Sequence, residues 1–265
     1  MSKSQLSNVI PLTQLFVDLS IVIPAYNEAL RITPTLERLH AFLISQPLRW
    51  EIVVVDDGSK DATIGVVETI ARNMPGLRLV QSPQNRGKGS AVRLGMLAAR
   101  GQIRVMCDAD GSMPPEELPK LLAPIIACRA EIAIGSRYVA GATSDVKQPL
   151  YRRLWSRLCN RVIQRSLVPG VNDTQCGFKA FTAEAARDLF CRARIDGWAF
   201  DLEILALAKR RGYLVEEVGV YWKDDARSKI NPVKDMIKVV REAMTIRQNI
   251  KRGVYATRTP AALAA

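Results

Sequence analysis

Ile103-Arg104-Val105-Met106-Cys107-Asp108-Ala109-Asp110-Gly111 is the stretch from which the fold can be worked out. A short, mainly apolar run ended at once by Asp108-Ala109-Asp110-Gly111 is consistent with a short buried strand. Two carboxylates one residue apart, Asp108 and Asp110, stand at its C-terminal end. Such a pair can share a hard divalent cation, Mg²⁺ or Mn²⁺, whose other positions go to the oxygens of a bound phosphate. An acidic turn would look the same in isolation, because so short a motif recurs by chance. The surrounding sequence has to decide.

Outward from this strand one pattern repeats. Leu19 to Ile23 is an apolar run stopped by Pro24, and Arg31 to Leu43 carries Leu36, Leu39, Phe42 and Leu43 at helical spacing. Glu51 to Val55 is a second strand, after which Ser59 or Asp61 can cap a helix bearing Ile64, Val67 and Ile70. Leu77 to Val80 is a third strand, followed by a helix with Val92, Leu94, Met96 and Leu97 that returns to Ile103. A helix with Leu118, Leu121, Leu122, Ile125 and Ile126 and the strand Ile132 to Ile134 complete the series. Strand and helix in alternation predict an α/β fold with a mostly parallel sheet flanked by helices, and in such sheets ligands bind beyond the C-terminal strand ends.

Those ends carry Pro24-Ala25-Tyr26-Asn27-Glu28, Asp56-Asp57-Gly58-Ser59, Asp108-Ala109-Asp110 and Gly135-Ser136-Arg137-Tyr138. Tyr26 can stack on a base, Asp57 can accept from a base or ribose, Asp110 can hold a metal and Arg137 offers a planar fork to phosphate. Neither a P-loop nor a Rossmann glycine fingerprint is present. Gly87-Lys88-Gly89 lacks the spacing of either and reads as a turn and helix start.

Composition sets the bounds. A chain of 265 residues, 48% hydrophobic and 24% charged, suits one large α/β domain or a domain with an appended subdomain. Cys107, Cys128, Cys159, Cys176 and Cys191 are odd in number and widely spaced, which suggests neither a disulfide framework nor a zinc site and fits a reducing cytosol. The single histidine, His40, sits in a helical pattern and rules out a histidine-dependent triad. Residues 1–146 hold 15 Lys and Arg against 14 Asp and Glu, whereas 147–265 hold 23 against 12, so an anionic partner is expected on the second half. No run approaches the ~20 apolar residues of a membrane span, and the N-terminus does not read as a signal peptide.

With these residues in place, the chain resembles the family-2, GT-A-type glycosyltransferases that use a nucleotide sugar. Ile21-Val22-Ile23-Pro24-Ala25-Tyr26-Asn27-Glu28, the Val54 to Ser59 segment, Asp108-Ala109-Asp110 and the Gly135 to Tyr138 segment follow that family's order. Asn85-Arg86-Gly87-Lys88-Gly89, Asp173 to Lys179, Trp198-Ala199-Phe200-Asp201 and Ser228-Lys229 resemble its dolichyl-phosphate β-glucosyltransferase branch, close to dolichyl-phosphate mannose synthases. Coverage runs from about Leu19 to Gln248.

The resemblance implies that Pro24, Tyr26, Glu28, Val55 and Asp57 line the nucleoside pocket, that Asp108, Ala109 and Asp110 meet ribose, diphosphate and metal, and that Arg137, Arg227 and Lys229 neutralise the diphosphate or the acceptor phosphate. Asp173 becomes the carboxylate to assist the nucleophile or to order its loop. Ser112 stands where mannose synthases have a metal-assisting glutamine, and the hydrophobic N-terminal anchor of the eukaryotic glucosyl relatives is not seen in this sequence. The implied organisation is an N-terminal tail (1–18), a nucleotide-sugar-binding half (19–146), an acceptor-binding half (147–248) and a C-terminal tail (249–265).

The implied activity is inverting transfer of a hexose, from UDP-glucose before GDP-mannose, to a polyprenyl or dolichyl phosphate. A soluble acceptor is the alternative within the family. A sugar-nucleotide pyrophosphorylase would need a Gly-rich, Arg-containing signature after the first strand, and a nucleic-acid-binding module would leave the paired carboxylates without a role. Leu150, Tyr151, Leu154, Trp155, Leu158 and Val162 beside five arginines, and Met236, Ile237, Val240 and Met244 among Lys and Arg within Pro232 to Gln248, form basic amphipathic helical patterns. Together with a lipid acceptor they predict a protein peripheral on the cytoplasmic face of a membrane.

Overall fold

A computed structural model describes residues 17–144, 167–222 and 232–256. Strands β1 (Leu19–Ala25), β2 (Trp50–Asp56), β3 (Leu77–Gln81) and β4 (Ile103–Met106) alternate with helices α1 (Ile32–Leu43), α2 (Thr63–Ala71) and α3 (Lys88–Ala98). Helix α4 (Leu118–Ile126) leads to β5 (Ile132–Ser136), and a two-residue β6 (Thr143–Ser144) follows. The second half supplies β7 (Lys179–Thr182), α5 (Ala183–Arg192), α6 (Phe200–Arg211), β8 (Val215–Gly219), β9 (Tyr221–Trp222) and α7 (Pro232–Lys251).

Seven strands form one sheet in the order β3-β2-β1-β4-β7-β5-β8, and β6 pairs with β9 separately. The pairs β1 with β2, β1 with β4, β2 with β3 and β5 with β8 are parallel, as the alternation predicts. Helices cover the faces, so the central strands are apolar along their length: Ile21, Val22, Ile23 and Ile52 to Val55 are all fully buried. Helix α3 closes onto β1 and β2 because Gly95 has no side chain where a Cβ would collide with Val22 and Val55.

Three features depart from the sequence expectation. Pro24 does not stop β1, which continues to Ala25 in register with Asp56. The Val22 carbonyl accepts from Cys107 on the β4 side and the Ala25 carbonyl from Asp57 on the β2 side. Alternation therefore turns Pro24 toward the β4 side, beyond the last β4 partner at Val22, and its missing N–H leaves no ladder bond unmade. Second, the sheet is not divided between the halves. β7 inserts antiparallel between β4 and β5, so strands from beyond residue 147 complete the sheet begun before it.

Third, α7 packs through Val239 and Ile246, both buried, with Ala243 and Ile250 beside them, while Val240 and Met244 of the expected stripe are exposed. The helix has two apolar rows, and burial chose the one not read from the sequence. Packing also continues past the boundary expected at 249: Tyr255 is buried and donates to Glu203 Oε1 at 2.8 Å. The amphipathic stretch 150–167 lies, apart from Leu167, outside the described residues, as do Arg227 and Lys229.

Candidate active site

The loops after β1 and β2 are built as one rim. Asn27 takes the left-handed conformation (φ 56°) that Asn tolerates better than most residues. Its N–H donates to Ser59 Oγ (2.9 Å), its Oδ1 accepts from the Lys60 N–H (2.9 Å), and the Glu28 N–H donates to Thr63 Oγ1 (2.8 Å). Tyr26, 39% exposed, is displayed between these anchors. Glu28 grips the Arg31 guanidinium at 2.5 and 2.7 Å.

Asp57 has an architectural duty. Its Oδ1 accepts the Arg86 N–H at 3.0 Å and its Oδ2 the Gly87 N–H at 2.8 Å, fixing the loop before α3 against the end of β2. Burial pushes its carboxyl above the ordinary aspartate value, although both N–H groups oppose the rise.

At the end of β4 the Ala109 carbonyl accepts from Thr35 Oγ1 (2.9 Å), pinning the turn to α1. Asp110 Oδ1 accepts from Ser112 N–H (3.0 Å) and Oγ (2.6 Å). Ser112 thus orients the Asp110 carboxylate. Asp108 Oδ1 meets Lys88 Nζ at 2.6 Å, and the Lys88 ammonium lies 5.3 Å from the Trp198 ring centroid. Burial alone would lower the Lys88 pKa, but the charges of Asp108 and Asp201 outweigh it and hold it above the ordinary lysine value. Asp201 is itself paired, at 2.5 Å, with the buried Lys179, whose ammonium also donates to the Cys176 carbonyl. Gly177 follows, and its lack of a Cβ is required because the Asp108 carboxylate occupies that space.

These groups enclose a cleft of about 460 Å³. Of the residues expected from the sequence, Pro24, Tyr26, Glu28, Asp57, Asp108, Ala109 and Asp110 line it. Val55 does not: it is fully buried against α3. Arg137 is outside the lining as well. Its guanidinium makes a two-pronged pair with Asp173 (2.8 and 2.9 Å) and lies 5.2 and 5.6 Å from the ring centroids of Trp222 and Tyr138. Asp173 is fully buried and also accepts the Arg137 N–H, so its oxygens are committed to holding that arginine.

Lys88, Trp198, Arg31 and Asn85 also line the cleft; the first two and Asn85 stand in segments that carried the family resemblance, but the sequence reading gave none of the four a role in the site. For Lys88 the signal was Gly87-Lys88-Gly89, read from the sequence as a turn and helix start, which opens α3 at the rim where the other groups gather.

The donor set fits a hard divalent ion. Asp108 and Asp110 offer carboxylate oxygens, and among the described residues no group of three or more His, Cys, Asp or Glu side chains could hold a metal. An ion held by two carboxylates keeps most of its positions for water and phosphate oxygens, as Mg²⁺ and Mn²⁺ do in nucleotide sites.

The family model Glycosyl transferase family 2 matches residues 20–190. A dolichyl-phosphate beta-glucosyltransferase of Trichomonas vaginalis is 38% identical over 252 residues, 91% of this chain and 74% of that protein. The Saccharomyces cerevisiae and Homo sapiens proteins of the same name are 34% and 32% identical, covering 89% of this chain and 76% and 77% of their own. Among solved structures, mannosyl-3-phosphoglycerate synthase from Rubrobacter xylanophilus superposes with a TM-score of 0.67 at 20% identity, covering 90% and 76% of the two chains. Glucosyl-3-phosphoglycerate synthase from Mycobacterium tuberculosis, in complex with Mn²⁺, UDP-glucose and phosphoglyceric acid, gives 0.65 at 20% identity, covering 87% and 79%. At that identity the likeness is one of fold, and the fold is GT-A-like.

Proposed function

The chain belongs to glycosyl transferase family 2, and from that premise we propose that it transfers glucose from UDP-glucose to dolichyl or another polyprenyl phosphate. The observation that carries this is the gathering of Tyr26, Lys88, Asp108 and Asp110 in one cleft at the strand ends, in a chain whose curated relatives bear that activity in their names.

A lipid phosphate oxygen attacks the anomeric carbon from the side opposite the diphosphate, the bond from that carbon to the diphosphate breaks, and UDP leaves with inversion. A phosphate monoester has its second pKa near ~6, so the nucleophile arrives ionised and needs little general-base help. Asp173 accordingly serves as the holder of Arg137. The nucleoside lies along Pro24, Tyr26, Glu28 and Asp57, and Lys88 faces the diphosphate. Asp108 and Asp110 would hold Mg²⁺ or Mn²⁺, which when bound supplies positive charge to the departing diphosphate. Arg137, with Arg227 and Lys229 as further cations, receives the acceptor phosphate.

The direct test supplies UDP-glucose, dolichyl phosphate and Mn²⁺. Glucose should appear in the lipid phase with stoichiometric release of UDP. Preference for GDP-mannose would overturn the donor, and transfer to 3-phosphoglycerate with none to the lipid would overturn the acceptor.

Arg137→Lys is expected to raise the KM for dolichyl phosphate about tenfold or more, since an ammonium cannot reproduce the two-pronged contact with Asp173 or the stacking between rings. Steady-state kinetics against both substrates checks this, and unchanged constants would make Arg137 structural.

No helix among the described residues is long and apolar enough to cross a membrane. Exposed Val240 and Met244 lie on α7 among exposed Lys238, Arg241, Arg247 and Lys251. This face contacts the cytoplasmic membrane surface, each cation adding at most ~1 kcal/mol near an anionic leaflet. The protein should float with anionic liposomes at low salt and detach at high salt. Failure to float in any condition would return the face to protein contacts.

A further inference from the structure

The segment 193–199 between α5 and α6 is gripped from two sides. On one side it presses on the start of α3. The Asp196 carboxylate holds Arg93 (2.6 Å) and Arg86 (3.2 Å), and its carbonyl accepts the Ser90 N–H at 3.2 Å. Gly87 and Gly89 permit this approach, because a Cβ on either would lie 2.5 Å from the carbonyl oxygen of Asp196 or Ile195. Lys88, between those glycines, is the residue over which Trp198 sits.

On the other side the segment is held by the C-terminal helix. Glu242 of α7 accepts the Ala199 N–H at 2.8 Å, and its carboxylate occupies the space that a side chain on Gly197 would need. Tyr255, just after α7, donates to Glu203, whose carboxylate accepts the N–H groups of Arg194 and Ile195 at 2.9 Å. Trp198 therefore stands between a glycine and an N–H that are both fitted to Glu242. Glu242 does not line the cleft, while Trp198 does.

We propose that Glu242 is a positioning residue for the donor: by fixing residues 197 and 199 it holds Trp198 over Lys88 as a wall of the cleft, so nucleotide-sugar affinity depends on the C-terminal helix. The identity of the ligand rests on the proposed function; the mechanical link does not. A backbone N–H left without its acceptor frees the loop to turn, and Trp198 turns with it. Because α7 also bears the exposed basic face, the same helix joins the outer surface to the donor cleft.

The test is titration of UDP-glucose with Mn²⁺ into the full chain and its variants, with steady-state KM for each substrate alongside. Glu242→Ala should weaken UDP-glucose binding on the order of tenfold, and the double variant with Trp198→Ala should bind no more weakly than Trp198→Ala alone, since residues acting as one unit are not additive. Glu242→Gln keeps an oxygen that can accept the Ala199 N–H and should restore binding, while the KM for dolichyl phosphate stays within about twofold throughout. Gly197→Ala, which displaces Glu242 from the loop side and leaves α7 unaltered, should copy Glu242→Ala. Unchanged affinity in Glu242→Ala, losses that multiply in the double variant, or equal impairment of Glu242→Gln would each overturn the proposal. Wild type failing to bind UDP-glucose would instead overturn the donor assignment, and that appears in the first titration.

Discussion

Asp110→Asn is expected to lower turnover at saturating Mn²⁺ by roughly 10²–10³, the range for removing one preorganised electrostatic contribution to a transition state. The substitution keeps the shape of the turn. Ser112 donates to Asp110 Oδ1 from both its N–H and its hydroxyl, and an asparagine carbonyl accepts the same two bonds. What disappears is the negative charge and the second oxygen, which an amide nitrogen cannot replace as a ligand to a hard cation. The melting temperature should stay within about 2 °C of wild type, because no core contact changes. Ser112→Ala makes the companion measurement: it leaves the charge and removes only its orientation, so apparent Mn²⁺ affinity should fall by about tenfold. Near-wild-type turnover for Asp110→Asn in saturating Mn²⁺ would remove Asp110 from the metal site.

The residues legible in advance were those whose chemistry is local. Asp57, Asp108 and Asp110 end apolar runs, and the parallel-sheet rule alone carries such residues to one rim. Long-range pairing was not legible in the same way. Nothing in Lys179-Ala180-Phe181-Thr182 announces a strand that inverts its direction and lies between β4 and β5, because the partners are 77 and 45 residues distant in sequence at the pairs Arg104 with Phe181 and Ile134 with Lys179. That insertion brings Gly177 against Asp108 and puts the loop with Asp173 beside Arg137. Trp198 stood in a segment that carried the family resemblance, but its place over Lys88 was equally hidden, since that depends on contacts of its loop with α3 and α7. In α7 the obstacle was different: two apolar rows compete on one helix, and only the packed neighbours decide which is buried.

Lys88→Met is expected to separate metal binding from catalysis. Methionine retains much of the apolar stem beside Trp198 and removes the ammonium, so the cleft keeps its shape while losing a charge. In the free protein Lys88 Nζ sits 2.6 Å from Asp108 Oδ1 and competes with any cation for that carboxylate. Mn²⁺ should therefore bind Lys88→Met more tightly than wild type when no nucleotide is present. With UDP-glucose the sign reverses, because the diphosphate brings negative charge into a cleft that has lost its nearest ammonium, and kcat/KM should fall by roughly 10². A purely structural lysine would give neither result in this combination: disrupting the fold weakens both metal and substrate binding. Mn²⁺ titration of the nucleotide-free protein, set beside kcat/KM for UDP-glucose, reads the two effects separately. Parallel losses in both would reduce Lys88 to a prop for Asp108, whereas opposed changes identify an ammonium that gives up the carboxylate to the metal and turns to the diphosphate.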